Sequence, residues 1–409
     1  MQKLWNRNFT ILTLGSFVSA LGSAAANVAF GILIYIETES PLMLAIFSVV
    51  NILPRLVTTF LVGPFIDRNS RVKIIYLIDF FYFVFFTFLS IILFRDYFNI
   101  VVFTIVGGAL GVVDTVYQIA YMSLFPEVIE GKNNTQAYSI SSLIWPISAA
   151  IMAPIAAYLI DNIAYGIAIL MTFNAVTFLV TAIMETTIKV KEHLNTSEPV
   201  KFKFLIDLKE GFRYYKHERG ILGIALLFMV FSFVYSISGL LRMPFFIEHD
   251  VFTIQHFSYL VSAGAIGRII GGLIHYRYKL PKNKKYLIAV TVYFTVEILS
   301  AITLLSPYIL MIVFSFIVGL LSVTSFNIRM SATQTYVQSS IRGRVNSVFQ
   351  LLWSFGAIIG FIVAGLVAEY TSIGYEYLIL SAAAISIPAI LLIPVRMRKD
   401  FEKIYNVDV

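Results

Sequence analysis

The stretch from residue 286 to residue 334 reads YLIAVTVYFTVEILSAITLLSPYILMIVFSFIVGLLSVTSFNIRMSATQ. It contains two charged residues, Glu297 and Arg329, and Ser306-Pro307 divides it into two apolar runs. Each run is about 20 residues or more, long enough to cross a hydrocarbon core of roughly 30 Å as a helix. Lipid offers no partner to backbone N–H and C=O groups, and no alternation typical of a barrel strand is evident. The stretch therefore predicts two membrane-spanning helices.

The same pattern recurs along the whole chain. Ten further apolar runs lie at residues 9–36, 41–66, 72–94, 98–122, 138–160, 164–185, 219–245, 253–276, 345–368 and 373–395. The composition agrees, because 13% of the 409 residues are charged, about half the share found in soluble domains. The first run is too long for the apolar core of a signal peptide, so we expect a retained helix. The predicted fold is an all-α integral membrane protein with twelve transmembrane helices.

The net charge of +7 reflects the predicted topology. With the N-terminus in the cytoplasm, 25 of the 30 Lys and Arg residues fall in inward-facing segments, whereas Arg95 alone falls in an outward loop. This asymmetry predicts a multi-pass protein of the cytoplasmic membrane with both termini inside the cell. Anionic membrane lipid, not nucleic acid, is the expected partner of these charges. The absence of cysteine excludes disulfides, Cys-ligated metals and thiol catalysis.

The chain divides into two halves around a polar stretch. We predict a six-helix bundle over residues 1–185, a cytoplasmic loop over 186–218, and a second six-helix bundle with a short tail over 219–409. Gly63 and Gly271 end spans two and eight at an offset of 208 residues, which indicates a duplicated unit. Duplicated halves are common in secondary transporters. Residues 202–215 fit either an amphipathic helix on the inner membrane surface or a solvated linker.

Three segments resemble a known family. GPFIDRNSRVK at residues 63–73 resembles the signature loop of the major facilitator superfamily, with Phe65 and Ser70 departing from its usual Leu and Gly. Residues 124–137 and 335–347 look like the 4–5 and 10–11 loops of the macrolide-efflux-type, drug:proton antiporter branch. The resemblance covers essentially the whole chain. It implies two six-helix bundles related by a pseudo-two-fold axis and transport by alternating access.

The resemblance also implies a conformational latch at the inner surface. Its residues are Gly63, Asp67, Arg68, Arg71 and Glu127. Asp67 is expected to face the N-terminus of span eleven, where unpaired N–H groups favour a carboxylate. Arg68 or Arg71 is expected to bridge to Glu127 at the inner end of span four. The alternative is that these charges only orient the tight turn in the membrane.

By the same resemblance, spans one, four, seven and ten line the substrate cavity. The polar residues expected there are Asn27, Asp114, Gln118, Tyr235, Asn327, Arg329 and Gln334. Asp114 is the candidate for the coupling proton, since an acid at mid-membrane depth is functional by default. Arg329 is expected to stabilise its charged form, the alternative being a fixed contact of Asp114 with Arg329 or Gln118. Among peripheral acids, Asp79 is expected to pair with Arg55, and Glu297 to have an unidentified structural partner.

These observations predict secondary active export of a small amphipathic molecule, driven by protons. The 36 Phe and 23 Tyr residues suit an apolar cavity. Alternatives are an importer, a lipid or siderophore transporter, or a transport-inactive receptor or scaffold. We find neither a catalytic set nor a Walker loop, so we expect no enzyme and no cofactor. The acids and histidines at residues 248–256 match no metal-site spacing, so we expect no metal site. We expect a monomer.

Overall fold

The computed structural model describes residues 4–129, 134–192, 204–278 and 280–406, and the regular secondary structure in these ranges is helical. The α-helices are α1 (Arg7–Thr38), α2 (Pro41–Arg68), α3 (Arg71–Leu93), α4 (Ile100–Val128), α5 (Asn134–Asn162), α6 (Gly166–Glu185), α7 (Phe204–His217), α8 (Arg219–Glu248), α9 (Ile254–Arg277), α10 (Lys285–Ile302), α11 (Tyr308–Tyr336), α12 (Ser339–Tyr370), α13 (Tyr375–Ile390) and α14 (Arg398–Tyr405). Within the described part of the chain, twelve helices are long and apolar enough to span a membrane. The twelve predicted spans are confirmed. Helix α7 lies between spans six and seven, and α14 follows span twelve.

Polar side chains fix where several of these helices begin. Asn6 caps α1 by accepting a hydrogen bond from the N–H of Phe9 at 2.9 Å. Asn99 caps α4 by accepting from Val101 and Val102, at 3.0 and 3.2 Å. Such caps satisfy the N–H groups that have no partner inside the helix. These caps place the starts of α1 at Arg7 and of α4 at Ile100, close to the predicted starts of the corresponding spans at residues 9 and 98.

The chain forms two compact units. The first contains residues 1–39 and 50–201, and the second contains residues 40–49 and 202–409. Residues 40–49, which include the start of α2, thus belong to the second unit. There the hydroxyl of Ser40 donates to the carboxylate of Glu369 at 2.7 Å, and Ala45 packs against Gly365. The central segment from residue 202 onward also belongs to the second unit.

In the first unit, α6 packs between α1 and α3. Tyr82 and Phe86 on α3 pack against Phe178 of α6, with ring centroids 4.7 and 5.8 Å apart. Ser90 donates to the carbonyl of Ala168 at 2.9 Å near the other end of the same pair. These contacts fix the antiparallel register of α3 and α6.

In the second unit, glycines allow helices to touch backbone to backbone. A Cβ atom on Gly267 of α9 would lie 2.1 Å from the carbonyl oxygen of Phe316 on α11, and one on Gly319 would lie 2.1 Å from the carbonyl oxygen of Gly264. Gly356 approaches α8 in the same way, 2.2 Å from the carbonyl oxygen of Met229. Small residues serve this purpose in membrane helix pairs. Glycine is needed for the close approach at these positions, whereas a Cβ on Gly272 would meet nothing within 4 Å.

The central segment forms a helix docked on the second unit. The Tyr215 hydroxyl of α7 donates to the carbonyl oxygen of Val345 on α12 at 3.0 Å, and Glu210 pairs with Arg344 at 2.7 Å. Helix α14 is anchored similarly, since the hydroxyls of Tyr405 and Tyr293 lie 2.8 Å apart and Phe401 is fully buried. Of the two interpretations of residues 202–215, the structure therefore supports a helix.

Candidate functional site

Two charged side chains meet inside the membrane-spanning part of the first unit. Glycines bring α2 and α4 together, because a Cβ on Gly111 would lie 2.3 Å from the carbonyl oxygen of Asn51. The amide of Asn51 also donates to the carbonyl oxygen of Gly107 at 2.9 Å. One turn further along both helices, Arg55 forms an ion pair with Asp114. The close approach of the two backbones is what allows this pair to form.

The Arg55–Asp114 pair is partly accessible. Its side chains are 43% and 34% exposed in the protein alone. An ion pair at this position lowers the energy of both charges, which would be costly singly in a low-dielectric medium. Protonation of Asp114 would remove the attraction and leave Arg55 without its counter-ion. The pair can therefore exist in two states that differ by one proton.

The structure corrects two predicted pairings. Arg55, rather than Arg329 or Gln118, is the partner of Asp114. For the same reason the predicted Asp79–Arg55 pair is wrong. Arg55 and Asp79 were expected to pair because their positions along adjacent helices correspond to a similar depth in the membrane. Depth alone does not reveal which way a side chain points. The glycines at 107, 108 and 111 were the available signal for a close α2–α4 contact.

The other predicted cavity residues are placed as follows. In the first unit, Asn27 and Gln118 are exposed, and the Asn27 amide donates to the carbonyl oxygen of Ser23 at 3.0 Å. In the second unit, Tyr235 is 63% exposed, whereas Asn327 and Gln334 are half-buried. Exposed polar groups on apolar helices are available to a ligand or to water. Their predicted role in substrate binding stays a prediction.

Arg329 differs from these residues because aromatic rings enclose it. Its guanidinium carbon lies 4.2 Å from the ring centroid of Phe349, 5.0 Å from that of Phe228 and 5.5 Å from that of Phe326. The residue is 8% exposed, and its Nε has no hydrogen-bond partner. Cation–π contacts stabilise a desolvated guanidinium. The aromatic content predicted to form a cavity thus serves, at this position, to hold a buried cation.

The signature loop forms an ion-pair network in the first unit. Arg71 is buried, and its Nη1 lies 2.5 Å from Oε1 of Glu127 and its Nη2 3.8 Å from Oδ1 of Asp67. The predicted bridge from the loop to Glu127 is confirmed, with Arg71 as the donor. Glu192, which sequence analysis did not identify, accepts hydrogen bonds from the Ser70 hydroxyl and the Arg71 N–H. Asp67 and Arg68 are exposed, and a Cβ on Gly63 would meet nothing within 4 Å.

Three buried acids of the described residues lie outside the predicted cavity helices. Asp79 on α3 and Glu185, the last residue of α6, are fully buried and face each other. Glu297 on α10 is 9% exposed and lies beside Ser386. Sequence analysis missed the Asp79–Glu185 pair, since only the register of α3 and α6 brings the two residues together. Among the described residues, no three His, Cys, Asp or Glu side chains form a group suited to a metal.

Comparison with known proteins agrees with this arrangement of twelve spans and a signature loop. Residues 2–406 match the profile of a family described as transmembrane secretion effectors, within the major facilitator superfamily. The chain belongs to this family. It is 22% identical over 385 residues to macrolide efflux protein A of Streptococcus pyogenes, covering 92% of this chain and 93% of that protein. The match supports a membrane transporter of the major facilitator type.

Solved structures show the same fold. The nucleoside transporter NupG superposes with a TM-score of 0.68 at 16% identity, covering 95% of this chain and 98% of that one. A bacterial homologue of the iron transporter ferroportin gives a TM-score of 0.69 at 17% identity, covering 96% and 99%. Both are transporters of the major facilitator fold. The predicted fold class is therefore confirmed.

Proposed function

We propose that this transporter exports a small amphipathic compound in exchange for protons. The observation that carries the proposal is the Arg55–Asp114 ion pair on two adjoining helices of the first unit. A transporter driven by protons needs a group that binds one in one state and releases it in the other. The likeness to macrolide efflux protein A over nearly the full length supports export as the direction.

Asp114 is the proposed coupling residue. When its carboxylate takes a proton, the attraction to Arg55 is lost, and the two helices no longer share a fixed charge pair. When the proton leaves, Arg55 stabilises the carboxylate again. Binding of a proton to Asp114 and loss of its contact with Arg55 are therefore one event. Such a link is required if a proton gradient is to shift a conformational equilibrium.

The remaining parts of the proposal concern the ligand and the switch. Substrate contacts are proposed for Asn27, Gln118, Tyr235, Asn327, Arg329 and Gln334. These polar side chains lie on helices rich in aromatic residues, and an amphipathic compound needs both kinds of contact. The latch is proposed for Gly63, Asp67, Arg68, Arg71 and Glu127, of which the Arg71–Glu127 bridge is formed in this structure. The protein is proposed to act as a monomer, without enzymatic activity, in the cytoplasmic membrane with both termini inside. Anionic inner-leaflet lipid is proposed to contact its basic inner surface.

Drug susceptibility and vesicle transport together test the direction and the coupling. A strain lacking the gene should be more sensitive to some amphipathic compounds in a panel that includes macrolides, and an overexpressing strain more resistant. In everted vesicles, acidification of the lumen should drive uptake of a compound found by the panel, and a protonophore should abolish it. Unchanged susceptibility across the panel would contradict export and favour the alternatives, such as an importer. Uptake that is unaffected by the protonophore would contradict coupling to protons.

A further inference from the structure

The carboxyl groups of Asp79 and Glu185 form a closed pair in the first unit. Both residues are 0% exposed. None of the four carboxyl oxygens meets the geometry of a hydrogen bond, and all four are shielded from solvent. Buried polar groups are nearly always hydrogen-bonded, so two adjoining carboxyl groups without partners need a physical explanation.

The packing of α3 on α6 places the two groups side by side. Tyr82 packs against Phe178 with centroids 4.7 Å apart, and the helices are antiparallel. Asp79 lies almost one turn before Tyr82, and Glu185 lies two turns after Phe178, so both lie toward the same end of the helix pair. The two carboxyl groups are close enough to interact directly. Their proximity is thus a consequence of the helix register.

The groups around this pair supply no neutralising contact. Tyr82 on α3 and Tyr117 on α4 face it, and Tyr121 lies one turn beyond Tyr117. Arg55 on α2 reaches Tyr82 but is held by Asp114. Helices α1 and α5, which pack against α6, carry Asp, Glu, Lys and Arg residues only near their ends. No described cation is bound to the pair.

We propose that Asp79 and Glu185 together form a proton-binding site. Two carboxylates side by side in an enclosed apolar site repel each other and lose their hydration, so they cannot both be ionised. One proton taken from water forms an O–H bond on one carboxyl group, which then donates to the other. A proton can bind without moving the two carboxyl groups apart, whereas a metal ion would have to separate them. Such a pair titrates as a unit.

Tyrosine side chains of a neighbouring helix lie near the site. The Tyr117 hydroxyl lies beside Glu185, and the rings of Tyr117 and Tyr121 stack at 6.1 Å. The Tyr121 hydroxyl in turn approaches Ser16 on α1 and Ser141 on α5. Tyr82 lies near both Asp79 and Arg55. This last link to the coupling pair rests on the proposed function, whereas proton binding by Asp79 and Glu185 does not.

Infrared spectroscopy of the full-length protein in liposomes tests the site directly, with the proton itself as the probe. Wild type at neutral pH should show a protonated-carboxyl band that shifts in D₂O. The double variant Asp79→Asn/Glu185→Gln should lose that band or most of its intensity. The matched control Glu297→Gln removes a buried acid elsewhere, and the pair's band should remain. An unchanged band in the double variant would overturn the proposal.

Wild type alone provides a second measurement that does not depend on the folding of a variant. Titration to alkaline pH should remove the pair's band in a distinct step, and the step should be the same in sodium and in potassium buffer. A wild-type band that is absent at neutral pH, or that disappears when sodium is added, would overturn the proposal in favour of ionised groups or a cation site. Because no substrate is used, failure of export and failure of this site give different results.

Discussion

Nη1 of Arg71, in the signature loop, lies 2.5 Å from Oε1 of Glu127 at the C-terminal end of α4. The Arg71 side chain is 9% exposed and that of Glu127 is 15% exposed, so the pair is largely withdrawn from water. Asp67 approaches the same guanidinium at 3.8 Å, but its side chain is 55% exposed. The loop thus has one enclosed ion pair and one solvated carboxylate, and the two should respond differently to neutralisation.

Neutralising Glu127 should destabilise the first unit more than neutralising Asp67. Glu127→Gln removes the enclosed charge partner of the buried Arg71, which costs about 2–4 kcal/mol in largely buried pairs. Asp67→Asn should cost less than about 1 kcal/mol, as expected for an exposed pair. Unfolding of the purified variants in detergent measures both. Equal effects of the two substitutions would show that the bridge is not an enclosed pair.

Replacing Asp114 should uncouple transport from the gradient. Asp114→Asn cannot exchange a proton, so we expect loss of gradient-driven accumulation in vesicles while substrate binding and downhill exchange persist. The matched control Asp250→Asn removes an exposed acid from the loop between α8 and α9 and should leave accumulation unchanged. An Asn variant that still concentrates substrate would exclude Asp114 as the coupling residue. Joint loss of expression and of all activities would indicate a structural role for the pair with Arg55.

Asp67 should affect the balance between transporter states more than the fold. If it acts as the latch, Asp67→Asn should shift the population toward the inward-open state without abolishing ligand binding. Distances between spin labels across the inner and outer faces measure this shift, and Asp400→Asn, at an exposed acid of α14, is the control. An unchanged distance distribution would mean that Asp67 only orients the loop in the membrane.

Topology can be tested on this naturally cysteine-free chain. Lys399 on α14 and Arg95 after α3 are both exposed, so a cysteine at either position is open to reagent. In intact cells, an impermeant maleimide should label Arg95→Cys and leave Lys399→Cys unlabelled until the membrane is permeabilised. The positive-inside asymmetry is the reason for this expectation. Labelling of Lys399→Cys from outside would refute it.

Neighbouring glycines on α9 should tolerate a methyl group very differently. Gly267→Ala places a Cβ against the Phe316 carbonyl oxygen, whereas the same change at Gly272 meets open space. We expect the first change to lower stability by about 1–3 kcal/mol through overpacking. The second should be neutral or raise stability by up to about 1 kcal/mol, since Ala favours helix over Gly. Thermal unfolding of the two variants compares them directly.

The sequence by itself determined the twelve spans, the helical class and the superfamily. Apolar runs of sufficient length and the loop at residues 63–73 are local features, and each is visible without knowledge of the residues that pack around it. The Arg71–Glu127 bridge was also predicted, because both residues lie at helix ends on the same side of the membrane. Local length and charge were enough for these conclusions.

Only the tertiary structure decided which intramembrane charges meet. A soluble helix shows its buried side through one apolar stripe, but these spans are apolar on most sides because lipid is as apolar as a protein core. Each residue along a helix turns its side chain by about 100°, so a known depth leaves the direction undetermined. The partner of Asp114 is therefore Arg55 through the glycine contact of α2 with α4, and Asp79 meets Glu185 through the register of α3 on α6.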